Sequence, residues 1–237
     1  MFKYIKGNSE LMEKIPCEYI VWNVLPAIRK EFAKSLMKNF NLNQKQVAEI
    51  IKLTPSAVSQ YLSNKRGGVD ITNKYILKEI DKSIRYIYDK GSEQLERETC
   101  RICNLLKSSE EVSRNLGYLI SKDLKCEIKL CKNNELFYEN IVWNILPVIR
   151  REFAKNLIKY HKLTQKKVAD MLGLTEAAVS RYVSGKRGNL ELSDKKILKE
   201  IKISTDRIVK GDDKTIISEI CRICNILKST QLLKTVK

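Results

Sequence analysis

The chain has 237 residues, 43% of them hydrophobic, enough for one or two globular cores of ordinary size. Its formal net charge of +17 points to a polyanionic partner, nucleic acid or an anionic membrane surface. No run of about 18 apolar residues is present to span a membrane, and "MFKYIKGNSELMEKIPCEYI" has no apolar leader region, so a cytoplasmic protein is expected.

The first predicted element is the helix "VWNVLPAIRKEFAKSLMKNF" (21–40). Val21, Leu25, Ile28, Phe32, Leu36 and Phe40 form its apolar stripe, and Arg29, Lys30, Lys34 and Lys38 lie on the other face. Pro26 either starts this helix or kinks it, and Pro147 repeats the ambiguity. Trp22 and Trp143 sit inside apolar runs and are expected in the core. Two short helices follow, "QKQVAEII" and "PSAVSQYLS", with Val47, Ala48, Ile51, Val58 and Leu62 pointing inward. Then "ITNKYILKEIDKSIRYIY" aligns Ile76, Ile80, Ile84 and Ile87 on one face, and a last helix holds "CRICNLLK". No segment alternates strictly with a hairpin turn. The fold class is therefore all-α, and "CEIKL" (126–130) is the one conceivable strand.

The sequence then repeats itself. Val21 to Gly68 aligns without gaps on Val142 to Asn189, with 28 of 48 positions identical, and Cys100-Arg101-Ile102-Cys103 falls on Cys221-Arg222-Ile223-Cys224 in the same register. An offset of 121 residues is too long for a solenoid, whose units run to roughly 20–50 residues. It describes two tandem copies, each with flanking long helices: residues 1–108 (core 21–68) and 122–237 (core 142–189), joined by a short connection at 109–121. Both copies are basic. Residues 21–108 hold 16 Lys/Arg and 9 Asp/Glu; residues 142–229 hold 19 and 10.

Within each core the short helices have the chemistry of a DNA reader. Thr54 is placed to cap the second helix and Pro55 tolerates its missing donor. Ser56, Ser59 and Gln60 point outward, short or amide-bearing, fit for base edges in a groove. Lys65 and Arg66 follow, placed for phosphate. The corresponding residues of the second copy are Thr175, Glu176, Ala177, Ser180, Arg181, Lys186 and Arg187. Pro55 against Glu176, Ser56 against Ala177 and Gln60 against Arg181 make the two readers unequal. The turn before the second helix has Gly173 in one copy and Lys52 in the other, where a left-handed conformation would cost lysine about 1–2 kcal/mol. Tyr61 and Tyr182 are expected at partly buried steps, and His161, the sole histidine, near a helix end and partly exposed.

"NQKQVAEIIKLTPSAVSQYLSNKRG" (43–67) and "TQKKVADMLGLTEAAVSRYVSGKRG" (164–188) resemble the helix-turn-helix of the Cro/C1-repressor (XRE-like) type. With the frame "PCEYIVWNVLPAIRKEF" and the terminal "CRIC", the chain looks like a fusion of two small archaeal transcriptional regulators. The resemblance implies a second helix lying in the major groove and backbone contacts from Gln44 and Gln165. Such regulators bind double-stranded DNA as dimers, so the fusion would be its own dimer, a pseudo-dimeric monomer; a homodimer reading four half-sites is the other arrangement. The competing function is a protein-interaction scaffold or antitoxin-like module using the same helices. An enzyme is not expected: there is no glycine-rich phosphate loop, no paired carboxylates at motif spacing and no nucleophile–histidine arrangement.

Seven cysteines remain. Cys17, Cys100 and Cys103 are candidate ligands in the first copy, and Cys126, Cys131, Cys221 and Cys224 in the second, for zinc or an iron–sulfur cluster. The blander reading makes them small buried residues packing a terminal helix.

Overall fold

The structure is a computed structural model, and residues 15–66, 69–110, 112 and 137–229 are described. Among them every regular element is helical. "CEIKL" and most of 109–121 lie outside the described residues. Among the described residues the chain forms two compact units, one with residues 19–66, 69–110, 112 and 137 and the other with 15–18 and 138–229.

In the first unit, α1 (Pro16–Tyr19), which begins in the other unit, runs through a π-helical turn (Ile20–Val24) into α2 (Leu25–Phe40). The proline explains the wide turn. Pro26 has no N–H, and its ring crowds the carbonyl four residues back. The Leu25 N–H donates instead to Ile20 O, five residues back, and Leu146 donates likewise to Ile141 O before Pro147. Each proline thus occupies the second position of an α-helix while the helical path continues ahead of it.

Helix α2 packs against α4 (Pro55–Leu62) and α5 (Lys74–Lys90), with α3 (Gln44–Ile50) completing the short pair. Val21, Leu25, Ile28, Phe32 and Leu36 are buried, as the stripe required, and Phe40 stacks on Tyr88 with centroids 4.1 Å apart. The opposite face is less open than its charges suggested. Lys30 is buried and its Nζ donates to Asp70 at 2.7 Å, because the chain leaving the short helices folds back across α2. Trp22 and Trp143 correct the expectation of core residues: they are 40% and 51% exposed. Each falls about 100° off the inward stripe.

The second unit has the same order: α7 (Phe137–Asn140, of which 138–140 belong to this unit), a π-turn (Ile141–Ile145), α8 (Leu146–His161), α9 (Gln165–Leu172), α10 (Glu176–Val183), α11 (Lys195–Lys210) and α12 (Asp213–Ser229). In the first unit, α6 (Leu95–Lys107) takes the place of α12.

The "CRIC" helices are held by their arginine. Arg101 donates to Glu79 Oε2 (2.6 Å), Glu98 Oε2 (2.8 Å), Ser83 Oγ (2.6 Å) and Glu79 O (2.9 Å), clamping α6 to α5. Arg222 does the same to Glu200, Glu219 and Ser204, clamping α12 to α11. Hydrogen bonds from Lys82 and then Arg101 hold the Glu79 carboxyl below the usual glutamate range. Burial works against the Glu219 charge, but Ser204, Arg222 and Arg207 together hold its carboxyl below that range too.

The turn between the short helices has a measurable consequence. Lys52 takes φ 52° and Gly173 φ 61°, both left-handed. Lysine is strained there and glycine is not. Lys52→Gly is expected to stabilise the first unit by about 0.5–1 kcal/mol, since glycine's greater unfolded-state freedom offsets part of the relief. Thermal unfolding of the full chain checks this; an unchanged or lowered Tm contradicts it.

Candidate nucleic-acid interface

The reading surface is built from a capped helix with one buried face. In α4, Val58 and Tyr61 face the core; in α10, Val179 and Tyr182 do. Both tyrosines are more buried than expected, at 4% and 0% exposure. Thr54 Oγ1 accepts from the Ala57 N–H at 3.2 Å, and Thr175 Oγ1 from the Ala178 N–H at 3.2 Å, so each threonine caps its helix. The helix before it is capped as well, by Asn43 in a reciprocal box with Gln46 and by Thr164. Ala48 and Ala169 are buried where the two short helices meet.

With Val and Tyr turned inward, the opposite side is left to solvent. Gln44, Thr54, Pro55, Ser56, Ser59, Lys65 and Arg66 are exposed, and Gln60 is half-buried. In the second unit Gln165, Thr175, Glu176, Ala177, Ser180, Arg181 and Lys186 are exposed, and Arg187 is half-buried. All sixteen candidate contact residues therefore lie at or near the surface, on or beside the short helix pairs. An eight-residue helix is about 12 Å long, close to the width of the major groove, about 12 Å.

The ends of these helices place the recurring Lys-Arg pair. Asn64 (φ 56°) and Gly185 (φ 74°) adopt the left-handed conformation just past the helix. Their N–H groups donate to Tyr61 O and Tyr182 O at 3.2 Å, a closure of the Schellman type. The chain then doubles back: the Arg66 N–H reaches Gln60 O at 3.0 Å and the Arg187 N–H reaches Arg181 O at 3.1 Å. Each Lys-Arg pair is thereby pinned beside the residue at the helix's outward C-terminal end. In the second unit Arg151 donates to Gly188 O, and to Leu190 O at 2.9 Å, tying the following loop to α8. The Arg187 guanidinium lies over the Tyr182 ring, 5.1 Å from its centroid. Burial pushes the Tyr182 hydroxyl up, against the opposing charges of Arg150 and Arg187.

Sequence reasoning missed Asn64 and Gly185, Arg151 and the Arg101 and Arg222 clamps. The glycine was legible as a C-terminal cap; the arginines were hidden among surface-looking charge. His161 is partly exposed, with Nε2 3.0 Å from Asp206 Oδ1.

Cys17, Cys100, Cys103, Cys221 and Cys224 are all buried, and Cys126 and Cys131 lie outside the described residues. Cys17 belongs to the second unit, Cys100 and Cys103 to the first. Among the described residues no group of three or more His, Cys, Asp or Glu side chains is placed to hold a metal ion. None of the described helices is long and apolar enough to cross a membrane.

Residues 155–192 match the helix-turn-helix family, a stretch that takes in the C-terminal part of α8, all of α9 and α10, and the loop tied down by Arg151. No curated protein and no solved structure matches the chain. That stretch of the second unit is thus similar to the helix-turn-helix, a motif of DNA-binding transcriptional regulators.

Proposed function

We propose that the protein is a sequence-specific transcriptional regulator that lays α4 and α10 into the major groove and reads two related, unequal half-sites as an intramolecular pseudo-dimer. The observation that carries this reading is the surface common to both units. Each is a short helix with its apolar side buried, small and polar or charged residues outward, and a Lys-Arg pair folded back beside its end. The match at 155–192 supports it in the second unit, and the 28 identities of 48 extend it to the first. Phosphate contacts would fall to Gln44, Lys65, Arg66, Gln165, Lys186 and Arg187, and base edges to the outward residues of the helices. Linking the copies replaces concentration-dependent dimerisation by a high local concentration.

Affinity for duplex selected from a random pool, measured against salt, tests this. Each neutralised phosphate contributes a slope of about −0.9 in log K against log salt, so engagement of both Lys-Arg pairs is expected to give a slope steeper than about −3. Salt-insensitive association with a protein, and no selected duplex, would instead identify a protein-interaction module.

A further inference from the structure

The most deeply buried ion pair among the described residues of the second unit lies behind its reading helix. Arg150 on α8 is 4% exposed, and its Nη1 and Nη2 donate to the two carboxylate oxygens of Glu18 at 2.7 and 3.0 Å. Glu18 lies far upstream in sequence yet in the same unit. The Tyr182 hydroxyl stands beside this guanidinium. Neither Tyr182 Oη nor Arg150 Nε completes a hydrogen bond of good geometry among the described residues. Tyr182 in turn carries Arg187 over its ring. Four side chains thus form a line from residues 15–18 to the basic end of the reading surface.

Stability alone gives little reason for such a pair, because well-packed apolar residues in place of a buried ion pair are often as stable or more so. A charge fixed at both terminal guanidinium nitrogens does restrict its neighbours to one arrangement, which an apolar contact does not. We propose that Arg150, held by Glu18, is a positioning residue for α10: through Tyr182 it sets the pose of the helix and of Arg187, so that residues 15–18 tune how the second copy presents its reading face. The consequence for DNA rests on the function proposed above.

The full chain carrying Glu18→Gln or Arg150→Met alone leaves one buried charge unpaired and is expected to lose thermal stability. E18Q/R150M removes both charges and is expected to recover it. In that refolded double variant, amide exchange over residues 176–187 is expected to run about tenfold faster than in the wild type, with α11 and α12 unchanged. Discrimination at the second half-site is expected to fall at least about fivefold, with the first half-site unaffected. Wild-type exchange over 176–187 in the double variant overturns the proposal, as does a double variant no more stable than the singles. If exchange quickens but the wild type selects no duplex, the DNA function fails while the positioning role stands. If the wild type binds DNA and the double variant discriminates as well as it does, the role in DNA reading is overturned.

Discussion

Replacing Gln60 and Arg181 together with alanine is expected to abolish most sequence discrimination while leaving the protein folded. Both side chains lie on the outward side of their helices, Gln60 half-buried and Arg181 exposed, and surface changes of this kind usually stay within about 0.5 kcal/mol of stability. A good bidentate contact to a base edge is worth about 1–3 kcal/mol of discrimination. The double variant should therefore lose roughly 5- to 150-fold in preference at each half-site. Arginine favours guanine and glutamine adenine, so the single variants should relax different positions of the operator. Lys65→Ala and Lys186→Ala provide the contrast: a uniform weakening across sequences and a shallower salt slope. Competition binding on a panel of point-substituted duplexes checks both. An unaltered preference in the double variant would place base reading elsewhere.

Gly188→Ala is expected to damage the second unit more than any other glycine substitution in the turn after α10. Gly188 has φ 75°, and a Cβ there would stand 2.7 Å from Pro147 O. The left-handed conformation alone costs an alanine about 1–2 kcal/mol, and the contact with a backbone oxygen adds to it, since backbone cannot swing aside as the end of a flexible side chain can. A loss of this size lowers Tm by at least about 2–4 °C, and it should also loosen Arg187, whose loop Arg151 holds through Gly188 O. Gly185→Asn is the control. Nothing lies within 4 Å of a Cβ at Gly185, and Asn64 already fills the equivalent left-handed position in the first unit. Equal losses from the two substitutions, read by thermal melts of the full chain, would contradict this account of the turn.

Much of the helical architecture was legible because each element carries a local signal. The isoleucines of α5 and the stripe of α2 are periodic, and all of those stripe residues but Phe40 are buried. Thr54 announced its helix by preceding Pro55, and Lys52 its strain by standing where the second copy has glycine. Long-range pairing was not legible. Lys30, Arg150 and Arg151 look like the solvated side of an amphipathic helix, yet all three are buried, because other segments cover that side. The cysteines drew attention in "CRIC", and the arginine between them, which clamps its helix to the preceding one, went unread. The register of the repeat did hold the clue: Glu79, Ser83 and Glu98 recur as Glu200, Ser204 and Glu219. Trp22 and Trp143 misled because residue type outweighed angular position, and both lie off the stripe.

Hydroxyl-radical footprinting of the full chain on its selected duplex bears most directly on one molecule engaging two half-sites. The account predicts, at one protein per duplex, two protected patches on one face of the DNA, centred about one helical turn or 34 Å apart, each altered separately by substitution of Gln60 or of Arg181. A single patch that responds to Arg181 and ignores Gln60 would contradict it.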